Sequence, residues 1–262
     1  MILFDSHCHF DFADFDDKRE LIWSNTQSLG VKGMLIPAVN PDTWYQAKQI
    51  SDTFSGIVWA AGLHPWWIKG FLERYTLDHL VRHLDSAIED KHCVAIGETG
   101  LDAVIDLNLS IQLDCFQCHM DAAKKIEKPL IVHSRKTHAQ IVDIIKKNPL
   151  RSGGVIHAFS GSYEQAKALV DVGFYLGVGG VITYERAHKT REALKKIPLE
   201  YLLLETDAPD MPLQGQQGMA NSPINLLQIA EALAELKQLA VDKIAEQTTF
   251  NANTLLGIRD AV

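Results

Sequence analysis

The chain has 262 residues, 47% of them hydrophobic, and its 25 Lys and Arg against 33 Asp and Glu leave a formal charge of −8. That balance argues against a broad basic face of the kind that grips duplex nucleic acid. No apolar run approaches the ~20 residues of a membrane span, and four cysteines are too few to staple a chain of this length.

Apolar runs of strand length alternate with longer amphipathic segments throughout. The first strand is expected near 2–8, and MILFDSHCHF has no basic region that would make it a cleaved signal. A helix over 16–29 follows, with Gly30 placed to end it in a left-handed turn. Next come a strand over 31–39 and a helix over 42–54, for which Pro41 and Asp42 suit the start. Strands near 57–64 and 93–98 alternate with helices over 76–90 and 110–127. Strands near 129–133 and 154–159 alternate with helices over 136–147 and 163–172, with Ser162 as the expected N-cap. Strands over 173–178, opened by Gly173, and 201–205 flank a helix over 185–196, and helices over 223–238 and 241–255 complete the pattern.

Runs such as VKGMLIPAV and IVWAAGL are almost wholly apolar, as expected of strands covered on both faces by helices. No Gly/Ser- or Pro-rich linker divides the chain, so residues 1–262 read as a single domain. Eight strand–helix units predict an α/β fold, a (β/α)8 TIM barrel. An open doubly wound sheet is the rival, but it would gather its site at one switch point. The long irregular stretch 208–222 reads as a substrate loop. Cys115 and Cys118 form a CxxC without a second pair, and they read as packing residues, as do Cys8 and Cys93.

Six metal-capable side chains close apolar runs. They are His7 and His9 in FDSHCHF, Glu98 in VAIGETGLD, His133 in PLIVHSR, His157 in GVIHAFSG and Asp207 in YLLLETDAP. A parallel barrel sets the C-terminal ends of all its strands around one rim, where remote residues meet. His7 and His9, two apart on a strand, project the same way and can share one ion, with Cys8 turned to the other face. Glu98 has two oxygens and can bridge two ions. Asp207 is expected to hold one ion and manage the proton of the attacking water, and Glu205 points away as a structural residue. His133 and His157 form a pair for a second ion. A mixed imidazole and carboxylate shell suits two divalent cations, Mg, Mn or Zn among them. Two ions roughly 3.5–4 Å apart activate water and offset charge on a leaving oxygen, which suits phosphoester, amide and ester hydrolysis. They also make the mouth of an acidic protein locally positive, leaving a nucleic-acid substrate open.

Substrate signals are sparser. Arg135 is placed either to pair with a phosphate oxygen or to sit solvated at a helix start, and His64 in GLHPWW either to donate to a substrate oxygen or to pack at its strand end. Trp66 and Trp67 read as loop packing, with base stacking as the other reading. Lys136, Arg151, His79, His83, His119, His138 and His188 read as surface.

The segments FDSHCHFDF, GLHPWW, AIGETGLD, PLIVHSRKTH, VIHAFSGS, LGVGGVITY, LLLETDAPDMPL and NANTLLGI resemble, in order, the TatD family of metal-dependent hydrolases, and within it the YjjV-type branch. The resemblance implies an amidohydrolase-type barrel and metal-dependent deoxyribonuclease activity, in some members 3′–5′ exonuclease action on single strands. It implies that His7, His9, Glu98 and Asp207 surround one metal, and that Glu98, His133 and His157 surround the other. The chain departs from the family at Ala103, Val104 and Ile105, where aromatic and basic residues are common. It departs again at Ala220–Asn221–Ser222–Pro223, where the pattern is Arg–Asn–Glu–Pro. The expected protein is thus a cytoplasmic phosphodiesterase of single-stranded DNA or a small phosphoester, with no membrane and no obligate protein partner. Hydrolysis of a small ester, lactone or amide is the alternative, and a non-catalytic metal-binding scaffold is the alternative of another class.

Overall fold

Eight short, mostly apolar segments pair side by side in parallel, in chain order, in a computed structural model that describes residues 1–258. The strands are β1 (Leu3–Asp5), β2 (Val31–Ala38), β3 (Ile57–Ala61), β4 (Cys93–Asp102), β5 (Leu130–Arg135), β6 (Gly154–Ile156), β7 (Phe174–Val178) and β8 (Leu202–Leu204). The helices are α1 (Arg19–Ser28), α2 (Trp44–Thr53), α3 (Ile68–Leu72), α4 (Leu77–Ala87), α5 (Leu109–Ile126), α6 (His138–Lys147), α7 (Tyr163–Val170), α8 (His188–Lys196), α9 (Leu226–Lys237) and α10 (Val241–Leu256). The ring closes just above β1 and β8. There the Ser6 N–H donates to the Leu204 carbonyl at 2.9 Å and the Asp207 N–H to the His7 carbonyl at 2.8 Å. Among the described residues no helix is long and apolar enough to cross a membrane.

Strand periodicity sorts the side chains into layers. Phe4, Leu35, Ala60, Ala95, Ile131, Val155 and Leu203, one from each of seven strands, pack with Ala252 and Leu256 of α10, so this last helix plugs the end opposite the ligands. Their neighbours on the other face, such as Met34, Ile36, Leu130, Val132 and Leu204, join the larger core beneath the helices. Two residues beyond the inner apolar layer come His133 on β5 and, just past β3, β6 and β8, Gly62, His157 and Glu205, with Gly177 of β7 beside Glu205. The glycines are small for a reason. A methyl group on Gly177 would overlap the Glu205 carboxylate, and one on Gly62 would overlap the backbone of Gly97 and Glu98.

Several boundaries differ from expectation. β1 ends at Asp5, so His7 and His9 lie in the extended segment that follows it. β4 runs on to Asp102, which places Glu98 within the strand and carries Asp102 toward the mouth. A helix not foreseen, α3, follows the Pro65–Trp67 turn. Ser162 caps α7 through a capping box with Gln165, and Gly30 and Gly173 take φ of 96° and 88°.

His119 and His138 are not surface residues. His119 is fully buried: its Nδ1 donates to the Cys115 carbonyl at 2.7 Å and its Nε2 accepts the Leu63 N–H at 2.9 Å. It thereby ties α5 to the segment that carries His64. His138 packs edge-on against Phe159, with its Nε2 buried and unpartnered. Burial pulls the His119 pKa down to about 4 from 6.5, opposed only by its bond to Cys115. A histidine lowered on folding contributes stability that is complete above the unfolded-state pKa near 6.5 and is lost as pH falls toward 4. His119→Gln is therefore expected to flatten the decline in urea stability between pH 6.5 and 4 by about 1.4 kcal/mol per pH unit. Parallel declines in the two proteins would contradict this.

Candidate metal centre and active site

His7 is fixed by a buried carboxylate. Asp5 accepts the His7 N–H at 3.2 Å, the Thr206 N–H at 3.0 Å and the Thr206 hydroxyl at 2.6 Å. The segments that carry His7 and Asp207 are thus clamped by the same side chain. Burial pushes the Asp5 pKa up to about 7, against the pull of those three donors. Asn221 donates to the Thr206 carbonyl at 2.8 Å and to the Met211 carbonyl at 3.2 Å, pinning the stretch after Asp207 from the far end of its loop. That loop supplies Asp210 and Met211 to the cavity walls.

The six sequence-selected residues meet at one mouth. His7 Nε2 lies 3.2 Å from Glu98 Oε2 and 3.4 Å from Asp207 Oδ1, and His9 Nε2 lies 3.5 Å from each of the same two atoms. On the other side, Glu98 Oε1 lies 2.8 Å from His157 Nε2 and 3.4 Å from His133 Nδ1, and those two nitrogens are 3.2 Å apart. Glu98 therefore turns one oxygen to each of two donor sets. The His7 and His157 rings stack at 3.9 Å between centroids and join the sets.

These donors fit divalent cations. Ligands about 2.0–2.2 Å from a four-coordinate ion lie roughly 3.4 Å from one another, close to the spacings here. His7 Nε2 and Glu98 Oε2 are buried without a hydrogen-bond partner, a costly state unless something charged joins them. Among the described residues, the ion-pair partners of Glu98 and Asp207 are all histidines, with no lysine or arginine among them. Burial works to raise the Glu98 pKa, but His157, His64 and His7 outweigh it and hold the carboxyl well below the usual range. Asp207 is lowered as well, by His9, His157 and His7 against burial.

His64 also joins the cluster, its Nε2 3.3 Å from Glu98 Oε1. Proximity alone groups it with Glu98 and His133 as a possible ligand. Its Nδ1, however, accepts the Trp66 N–H at 3.2 Å, so the neutral ring carries its proton on Nε2. Burial pulls its pKa down to about 3, which keeps the ring neutral. His64 thus faces the centre as a donor, without a free lone pair. Arg135 is exposed and stands apart from the six, on the wall of an adjoining cavity of about 540 Å3 that includes His133, His157 and Asp207. Trp66 and Trp67 are not packed in a loop: they are 57% and 44% exposed and, with Phe12 and Val39, wall a pocket of about 150 Å3 above the donors.

Sequence reasoning missed Asp102. It is fully buried, and its Oδ2 lies 3.2 Å from His133 Nε2 and accepts the Trp66 indole N–H at 2.9 Å, while Oδ1 accepts the Val104 N–H at 2.8 Å. With Nε2 bonded to Asp102, His133 presents Nδ1 to Glu98 and His157, an arrangement that orients an imidazole toward a cation. Burial lowers the His133 pKa, but Asp102 and Glu98 prevail and raise it to about 9. The signal was available, since an acidic residue ends the run GETGLD at the rim. Glu205, expected to point away as a structural residue, instead turns inward: it is buried, its carboxylate lies against Gly177, and it receives the Ala158 N–H. Asp102→Asn is expected to weaken divalent-metal binding by about 10- to 100-fold in calorimetric titration. Unchanged affinity would remove Asp102 from the centre.

Comparison with known proteins identifies the family. The TatD related DNase family matches residues 4–257. The chain is 38% identical to the metal-dependent hydrolase YjjV of Escherichia coli (strain K12) over 257 residues, 97% of each chain. A metal-dependent hydrolase of Haemophilus influenzae is 37% identical, with 96% of this chain and 98% of that one covered. The crystal structure of Escherichia coli YjjV superposes with a TM-score of 0.92 over 98% of both chains, at 37% identity. The chain, an eight-stranded barrel with its histidines and acids gathered at the mouth, belongs to the TatD family of metal-dependent hydrolases.

Proposed function

We propose that the protein is a phosphodiesterase that uses two divalent cations on single-stranded DNA or a similar small phosphoester. The observation that carries this reading is the division of Glu98, with Oε2 turned to His7, His9 and Asp207 and Oε1 turned to His133 and His157. When bound, the cations supply Lewis acidity and make a water acidic at neutral pH.

The chain's own residues then take separate roles. Asp207, ionised at neutral pH, accepts the proton of the attacking water. His64 donates from Nε2 to an oxygen of the substrate. Arg135, whose guanidinium has no ion-pair or hydrogen-bond partner among the described residues, pairs with a phosphate oxygen, with Lys136 beside it on the same wall. The pocket directly over the donors, about 150 Å3, is smaller than the ~300–1,000 Å3 of a typical small-molecule site. It suits the end of a strand better than its middle, and the larger cavity past Arg135 suits the rest.

The apolar walls of that small pocket also favour a second reading, hydrolysis of a compact ester, lactone or amide. A panel of chromogenic phosphodiesters and carboxyl esters separates the two.

With Mg or Mn the purified enzyme is expected to shorten a labelled single strand. Glu98→Ala should abolish the activity, and Asp207→Asn should lower kcat/KM by about 100- to 10,000-fold. Activity retained by either variant would rule out this centre.

A further inference from the structure

We propose that Trp66 is a specificity-determining residue: its indole is a fixed platform on which a planar ring of the substrate, next to the scissile phosphoester, stacks. This deepens the phosphodiesterase reading and rests on it for the nature of the scissile bond.

Trp66 combines exposure with restraint. It is 57% exposed, yet its indole N–H is bonded to the buried Asp102 carboxylate at 2.9 Å and its backbone N–H to His64 Nδ1 at 3.2 Å. Its ring stands edge-on to His64, at 86° and 5.3 Å between centroids, and among the described residues no aromatic ring stacks on it. An exposed indole that gains nothing from core burial, but is held in one orientation by two hydrogen bonds, has already met the entropy cost of ordering before a ligand arrives. Its position points to the ligand. Trp66 lines both the small pocket over the donors and the larger cavity that holds Arg135, so it stands where a substrate passes from one to the other. Trp67 and Phe12 complete the aromatic wall on the small-pocket side. Stacking is sequence-tolerant because every base has a π-face, so this platform favours nucleotide rings over aliphatic groups without selecting one base.

The tether also explains how stacking can be separated from orientation. Asp102 is shared by Trp66 and His133. Any substitution of Trp66 removes a donor from that carboxylate and affects turnover of all substrates, whereas only loss of the ring affects the choice between substrates.

The test compares two phosphodiesters that release the same p-nitrophenolate, one carrying thymidine 5′-phosphate and the other methyl phosphate. The wild-type enzyme is expected to prefer the thymidine diester in kcat/KM. Trp66→Leu should reduce that preference by about 5- to 100-fold. Trp66→Phe, which keeps a ring but not the N–H, should retain most of the preference while sharing the loss in kcat. A preference unchanged in Trp66→Leu would overturn the proposal. Binding gives an independent readout: thymidine 5′-monophosphate should quench the tryptophan fluorescence of the wild type and not that of Trp66→Leu. If the wild type hydrolyses neither diester but this quench is present and Trp66-dependent, the phosphodiesterase reading fails and the platform stands. Absence of both turnover and quench would overturn the platform too.

Discussion

Two carboxylates and four imidazoles converge at the barrel mouth, most of them buried, and the surrounding structure is organised around keeping them there. Such a cluster is costly without a compensating charge. The chain's own permanent cations do not supply it, because every ion-pair partner of Glu98 and Asp207 among the described residues is a histidine. Glu98 sits at the middle, one oxygen toward each donor set. The walls beside it are thinned to glycine: Gly62 lies against the Glu98 backbone, and Gly177 leaves room for Glu205. Outside the cluster, Asp5 clamps the segments of His7 and Asp207, and Asp102 fixes the ring of His133.

On the proposed phosphodiesterase reading, this arrangement reconciles an acidic protein with a polyanionic substrate. The net charge of −8 repels nucleic acid at a distance, so attraction must be local. Arg135 and Lys136 line the larger cavity, and cations at the donor cluster would add positive charge at the point of reaction. Recognition in this scheme depends little on long-range steering. It depends on a few contacts at the mouth, among them the buried His64 and the exposed Arg135 and Trp66.

The ring of strands was legible because its apolar runs recur between amphipathic segments, and the six donors because each follows such a run. Features set by tertiary contact were harder to read. Asp102 lies on a part of β4 that is not apolar, so the strand was taken to end at Glu98. His119 shares a helical stripe with Cys115, Phe116, Met120 and Ala123, all buried. That spacing marks a core histidine, but its partner, the Leu63 N–H, is 56 residues away in sequence. The exposure of Trp66 could not be read from GLHPWW, since a tryptophan after a strand packs inward unless its indole N–H finds a partner at the rim. The retained Asn221 at the altered family segment pins the loop after Asp207, a role that depends on a backbone path only the folded loop defines.

Metal stoichiometry tests the central claim most directly. Protein purified without chelator or nickel affinity should carry two divalent ions per chain by elemental analysis, and Glu98→Ala, folded to the same circular-dichroism spectrum, should lose at least one of them. A wild type holding a single ion, or a variant that keeps both, would contradict a centre in which one carboxylate serves two sites.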